Sequence, residues 1–319
     1  MQPTPIRIGT RASRLAQVQA RQVQASITAV LGAHPEDADA VAPLVLISTA
    51  GDRIQDRRLL EVGGKALFTK EIEQALIDER IDCAVHSLKD VPSEDTPGLA
   101  IAAYPQREDP RDALVSFAHD SFEALPRGAR LGTASLRRQA QALHRRPDLD
   151  IVMFRGNVET RLRKLEAGEV DACLLAVAGL NRLGLADRVR QAFDPILSPP
   201  APGQGCIAIQ TRAADVTQAW AKALHHVPSA LLIAAERGAL EALEGSCRTA
   251  MGAFARVEGD ILHLIVEALV PDGSARWRRE ASLPLTGETS PETAARALGL
   301  KLGMEVKAEG ADRLVWDRA

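Results

Sequence analysis

The sequence predicts an α/β protein of two related lobes, the second inserted into the first, followed by a small α+β domain. Three observations predict this. Strand-like and helix-like segments alternate through the first 200 residues, the order that builds a largely parallel sheet. Stretches of the first hundred residues are echoed in the second hundred. Two segments rich in Pro, Gly or charge, 104–113 and 194–205, stand where the chain crosses between lobes.

Taken in order, "IRIGT" (6–10) reads as a strand, and Ser13 caps a helix whose apolar positions are Leu15, Val18, Val23, Ile27 and Leu31. "PLVLIST" (43–49) is a second strand, followed by the long polar loop "GDRIQDRRLLEVGGK" and a helix from Thr69 to Arg80. "IDCAV" (81–85) reads as a strand buried on both faces. The chain then turns polar at His86, Ser87, Lys89 and Asp90, before Val91-Pro92 stops any continuation. "IGTRASRLAQVQA" (8–20) returns as "LGTASLRRQAQAL" (131–143), and "ERIDCAVHS" (79–87) as "GEVDACLLAV" (168–177). The two crossings predict a hinge, with a ligand cleft between the lobes. Past them, Pro228 to Ala242 is helical, and residues 252–283 form an antiparallel meander turning at Glu258-Gly259-Asp260 and Pro271-Asp272-Gly273. Ser290-Pro291-Glu292 opens a final helix, with Ser as cap and Pro in the first turn. The expected domains are 1–105 with 205–224, then 106–204, then 225–319.

Composition narrows the function classes. A net charge of −3 and only three Trp, one Tyr and six Phe argue against nucleic acid as a partner. No apolar run approaches the length of a membrane span, and the N-terminus lacks the apolar core of a secretory signal. Four cysteines without a CxxC pair suit free thiols in a reducing cytoplasm. Seven histidines without an HExxH or other ligand spacing predict no metal.

The strongest chemical signal is the placing of arginines. Arg11, Arg137, Arg138, Arg155, Arg161 and Arg182 each follow a strand or open a helix, the edge of an α/β sheet where ligands bind. Helix N-termini favour anions there, and guanidinium forks select carboxylates or phosphates. Any single arginine reads better as a surface residue paired with one of the 42 acids; six at equivalent positions point to a ligand with several negative charges. Asp90, on the same edge, is a turn cap, or a carboxylate that stabilises a cation or shuttles a proton. Cys247 follows Gly245-Ser246 and precedes Arg248, which favours a reactive thiolate; Cys83 and Cys173, inside strands, read as buried packing residues. "EVGGKALF" (61–68) fails as a phosphate loop, because Ala66 stands where a hydroxyl binds magnesium.

With those residues in place, "VGGKALFTKEIE" (62–73), "VHSLKDVP" (85–92), "REDPRDALVS" (107–116), "GTASLRRQ" (132–139), "RGNVETRL" (155–162), "LAVAGLNRLG" (175–184), "PGQG" (202–205) and "LEGSC" (243–247) resemble the porphobilinogen deaminase (hydroxymethylbilane synthase) family. The resemblance runs in order from residue 6 and thins after about residue 255. It implies two hinged periplasmic-binding-protein-like α/β lobes plus a small C-terminal α+β domain with a three-stranded antiparallel sheet. It implies a cytoplasmic, monomeric transferase that links four porphobilinogen molecules head to tail, releasing four ammonia, on a covalent dipyrromethane cofactor. By the same resemblance Cys247 carries the cofactor through a thioether, and Ser87, Lys89, Thr133, Ser135, Arg137 and Arg138 hold it. Asp90 is the catalytic carboxylate, and Arg11, Ser13, Arg155, Arg161, Arg182, Gln204 and Lys65 bind substrate and growing chain. A mobile loop around 53–66 is expected to cover the cleft. Glu61, Ala134 and Ser246 depart from residues frequent in the family (Lys, Ser and Gly). The competing readings are a two-lobed carboxylate-binding protein without catalysis, which leaves Asp90 and Cys247 unused, and a phosphate-ester enzyme.

Overall fold

The structure, a computed structural model, describes residues 4–53, 67–243, 250–287 and 290–314. It divides into two compact units, one built from the described residues up to 53, 67–108 and 205–230, the other from 109–204 and those from 231 onward.

The first unit holds β1 (Ile8–Arg11), β2 (Leu44–Ile47), β3 (Cys83–Ser87) and β4 (Leu99–Ala103). The second holds β5 (Asp112–Val115), β6 (Arg130–Thr133), β7 (Asp150–Met153), β8 (Ala172–Ala176) and β9 (Gln191–Ala192). The chain then returns to the first unit as β10 (Ile207–Arg212). One sheet is ordered β2-β1-β3-β10-β4 and the other β7-β6-β8-β5-β9, so β1, β2, β3, β10 and β4 correspond to β6, β7, β8, β5 and β9. β1 and β6 each pair parallel with two neighbours. The fourth strand of each sheet is reversed. The expectation of largely parallel sheets is therefore corrected at β5 and β10. β5 starts at the end of one crossing segment and β10 just after the other, which deliver the chain to the edge where the parallel strands end.

The repeat extends to side chains. Arg7 and Asp82 meet by Nη2–Oδ1 at 2.8 Å, with the Arg7 amide also donating to Asp82 at 2.8 Å. Arg130 and Asp171 repeat the arrangement at 2.9 and 2.7 Å. In each case the Asp amide donates back to the Arg carbonyl. The same joint thus fixes β3 beside β1 and β8 beside β6.

Alternation buries both sheet faces. Val85 and Ile209 pack with Val23, Ile27 and Trp220 on one side, while Ala84 packs with Ile72 and Leu76 on the other. In the second sheet Leu114 and Leu174 face Phe122 and Phe193, whereas Val115 and Leu175 face Phe154 and Leu180.

Helix α1 (Arg14–Val30) starts at Ser13, whose Oγ accepts from the Ala16 amide. Its buried stripe is Ala16, Gln19, Ala20, Val23, Gln24, Ile27 and Thr28. Leu31, expected on that stripe, is 41% exposed beyond the helix end. Gln24 can be buried because its amide donates to the Ala42 carbonyl at 2.7 Å. Helix α2 (Lys70–Ile77) is shorter than expected, the chain breaking at Glu79 with φ 54°. Helices α3 (Leu136–Arg145), α4 (Val158–Glu166) and α5 (Val177–Arg182) follow β6, β7 and β8.

The rest of the second unit is the three-stranded antiparallel sheet β11 (Met251–Glu258), β12 (Ile261–Leu269) and β13 (Arg276–Pro284), turning as predicted at Gly259 and Gly273, both at positive φ. One face packs Ala253, Leu264 and Val266 against α6 (Val227–Ala242) and α7 (Pro291–Gly310). Those helices approach so closely that a Cβ on Gly299 would lie 2.0 Å from the Ala235 carbonyl oxygen. Ser290 stands at the start of α7, but its Oγ meets the Thr293 hydroxyl at 2.8 Å instead of capping the backbone. The opposite sheet face meets α3 through Leu269, Ala250 and Ala140.

Candidate active site

Each unit gathers polar residues at the edge where its parallel strands end. In the first unit Arg11 is the last residue of β1. Its Nε and Nη2 engage the Asp52 carboxylate, and its guanidinium carbon lies 4.1 Å from the centre of the Phe68 ring. Thr49 donates to the same carboxylate at 2.8 Å. Burial raises the Asp52 carboxyl, but the hydrogen bonds and charge of Arg11 outweigh this and hold it below the ordinary carboxylate range. With one guanidinium edge on Asp52 and one face on Phe68, Nη1 points toward Asp90, 3.8 Å from Oδ2. That spacing is ionic contact without a hydrogen bond.

Asp90 ends a single 3-10 turn, Leu88–Asp90, that continues β3, so a buried strand carries it to the sheet edge. Ser87 is half-buried, within 2.9 Å of the Gln19 amide nitrogen. Lys89 is exposed. His86, one residue before Ser87, is buried and its Nε2 lies 3.1 Å from Gln210 Oε1. The Gln210 amide then donates to Glu73, which accepts from Thr96. Because Gln210 turns its oxygen to the imidazole, Nε2 carries the proton, and burial pushes the imidazole down to about 4.

In the second unit the edge is organised around a residue that sequence reasoning missed. Asp112, the first residue of β5 and fully buried, accepts from Arg137 Nη1 and Nη2, from Arg138 Nε and Nη2, and from Gln204 Nε2. Burial alone would raise its carboxyl; the two guanidiniums outweigh burial and hold it well below the ordinary range. Gln204 is itself buried, its amide donating to the Pro110 carbonyl at 2.7 Å, which places it inside this clamp. Thr133 ends β6, Ser135 caps α3 by accepting from the Arg138 amide, and Thr133 Oγ1 accepts from the Ser135 amide at 3.1 Å. Arg155, Arg161 and Arg182 are half-buried after β7, in α4 and at the end of α5. Arg161 Nε donates to the Gly156 carbonyl at 2.8 Å.

Among the described residues, the Nε of Arg137 is buried without an acceptor. An orphaned guanidinium donor beside a second arginine and two hydroxyl residues fits a carboxylate-bearing group such as dipyrromethane. Cys247, Lys65 and Glu61 lie outside the described residues, as does nearly all of the expected loop 53–66. Cys83, Cys173 and Cys206 are buried. Burial pushes the Cys173 thiol up to about 12 and the Cys83 thiol higher still, so neither is a nucleophile at neutral pH. Among the described residues no group of acidic, His and Cys side chains is arranged to hold a metal, and no helix is long and apolar enough to cross a membrane.

Comparison with known proteins agrees with this chemistry. Residues 6–219 match the family model described as porphobilinogen deaminase, dipyromethane cofactor binding domain, and residues 230–308 match the C-terminal domain of porphobilinogen deaminase. The chain is 61% identical over 316 residues to the porphobilinogen deaminase of Caulobacter sp. (strain K31), covering 99% of both. It is 59% identical over 315 residues to that of Caulobacter vibrioides (strain NA1000 / CB15N), covering 98% of both. The enzyme of Phenylobacterium zucineum (strain HLK1) is also 59% identical, over 97% of this chain and 98% of its own. Full-length likeness of this degree means that the chain belongs to the porphobilinogen deaminase family of transferases.

Proposed function

We propose that the chain condenses four porphobilinogen molecules head to tail into linear hydroxymethylbilane, releasing four ammonia, in tetrapyrrole biosynthesis. The observation that carries this reading is the placing of Asp90: a carboxylate at the end of a buried strand, 3.8 Å from a guanidinium that Asp52 and Phe68 hold in position. The bound dipyrromethane supplies the primer to which pyrrole units are added. Its carboxylates are assigned to Arg137 and Arg138, with Thr133, Ser135, Ser87 and Lys89 as further polar contacts and Cys247 as the attachment point.

Porphobilinogen brings an acetate and a propionate, which is why arginines fit its site. Arg11, Arg155, Arg161 and Arg182 are assigned to these carboxylates, and Ser13 and Lys65 to the same role; Gln204, expected to bind substrate, instead has its amide engaged by Arg138, Pro110 and Asp112 and serves through the clamp. Arg11 serves this role with an orientation set in advance, since Asp52 and Phe68 limit its rotamers and reduce the entropy lost on binding. When ammonia leaves, the substrate carries positive charge, and a fixed carboxylate stabilises it without reorganising. The ring formed by coupling must then shed a proton, and the same carboxylate can accept it. The assignment explains why Lys89 and Asp90 stand side by side: one meets anions and the other faces a transient cation.

Asp90→Asn tests the reading. The variant should retain its cofactor mass while porphobilinogen turnover falls roughly 10²- to 10⁴-fold, the usual contribution of a positioned acid–base group. Turnover within threefold of the parent would remove Asp90 from the reaction.

A further inference from the structure

Glu267, on β12, is fully buried, yet its Oε2 has no hydrogen-bond partner among the described residues. Arg278 Nη1 comes no closer than 3.8 Å, and Arg278 Nε is engaged by Glu280 at 2.7 Å. Burial pushes the carboxyl up. A half-satisfied buried carboxylate costs stability, and an apolar residue of the same size would serve the fold better. Its one good contact explains its presence. Glu267 Oε1 accepts from Gln141 Nε2 at 2.7 Å, and that nitrogen also donates to the Pro199 carbonyl at 2.8 Å. With both acceptors on the nitrogen side, the amide must turn its oxygen the other way, where Gln141 Oε1 accepts from Arg137 Nη1 at 2.9 Å. Were the amide reversed, two donors would face each other.

The same point ties three segments together. Glu267 pairs across the sheet with Gly252, and the Ala253 amide donates to the Pro200 carbonyl at 3.0 Å. A Cβ on Gly252 would sit 2.4 Å from the Pro199 carbonyl oxygen, so β11 runs hard against residues 199–200. Arg137 Nη1 also reaches the Pro199 carbonyl, at 3.3 Å.

We propose that Glu267 and Gln141 are a positioning pair for the proposed reaction: Glu267 fixes the Gln141 amide, which fixes the Arg137 guanidinium relative to β11. This rests on the assignment of Arg137 to the dipyrromethane carboxylates. It explains why a carboxylate is kept where the fold would prefer an apolar side chain.

The test compares Glu267→Met, of similar volume but without an acceptor, with Glu267→Gln, which retains a carbonyl oxygen for Gln141. Thermal unfolding, intact mass, and kcat and KM for porphobilinogen are measured on the purified full chains. Glu267→Met should unfold no earlier than the parent and carry the same cofactor mass. Its kcat should be lower by roughly 10- to 100-fold, as for a displaced catalytic contact, with KM within twofold. Glu267→Gln should restore kcat to within threefold of the parent. The proposal is overturned if Glu267→Met turns over at the parent rate, if the two variants are equally slow, or if activity is lost in proportion to the folded fraction. If Glu267→Met does not fold, the exchange Gln141→Glu with Glu267→Gln decides: recovery relative to Gln141→Glu alone supports the pair, and no recovery refutes it. Absence of cofactor mass or turnover in the parent would instead refute the proposed function.

Discussion

The Asp112 clamp yields the prediction with the most readily derived magnitude. In Asp112→Asn the retained Oδ1 can still accept from Arg137 Nη2, both Arg138 nitrogens and Gln204. The new amide nitrogen, however, replaces the oxygen that accepted from Arg137 Nη1. A donor then faces a donor, and two buried guanidiniums share no anion. Removing one partner of a buried ion pair costs about 3–5 kcal/mol. At a urea m-value of about 2–3 kcal/mol/M for a unit of this size, the midpoint falls by about 1–2.5 M. The assay is urea unfolding read by Trp277, which lies in the same unit, in a chain whose other tryptophans are Phe. Because the Asp112 carboxyl is held below its ordinary range, its contribution is complete above the unfolded value of about 4 and is lost as pH falls further. Parent and variant should therefore differ fully at pH 7 and converge only well below pH 4. A midpoint within 0.2 M of the parent (about half a kcal/mol) would refute the clamp.

His86 makes stability depend on pH in a higher range. Its imidazole is pushed down to about 4 in the folded chain, while the unfolded chain takes up a proton near pH 6.5. The neutral form's contribution is complete above that value and is lost as pH falls toward about 4. Stability should drop by about 2 kcal/mol between pH 7 and pH 5, and His86→Gln should remove that slope when unfolding is followed by Trp220, which shares a core with Val85; an unchanged slope would assign the proton uptake elsewhere. Arg11→Leu should leave the cofactor mass intact while kcat/KM falls roughly 10- to 100-fold, the loss of one charge-assisted contact of about 1.5–3 kcal/mol. Unchanged steady-state kinetics would count against its substrate role.

The sequence carried what is local. The echo at β1/β6 was legible because each is a short apolar run followed by a polar helix start, that at β3/β8 because each is an apolar run preceded by an acidic residue, and the arginines were legible because strand ends mark the sheet edge. Strands β4, β5, β9 and β10 were not read, since they flank the crossings and their places depend on where the chain re-enters each sheet rather than on their own pattern. Asp112 could not be singled out from Glu108 and Asp109 in "EDPRD", since nothing local says which acid turns inward. His86 looked like the start of the polar turn; its burial depends on Gln210, 124 residues away. The Gln141–Glu267 contact spans 126 residues and has no local signature at all. Conversely, Leu31 fits the helical period but lies beyond the last turn, where it stays exposed.

The most direct test of the account is intact mass spectrometry of the purified chain beside its Cys247→Ala variant. The account predicts a mass excess equal to two linked pyrrole units in the parent and none in the variant. No excess in the parent, even after incubation with porphobilinogen, would contradict it and leave a carboxylate-binding fold without the proposed chemistry.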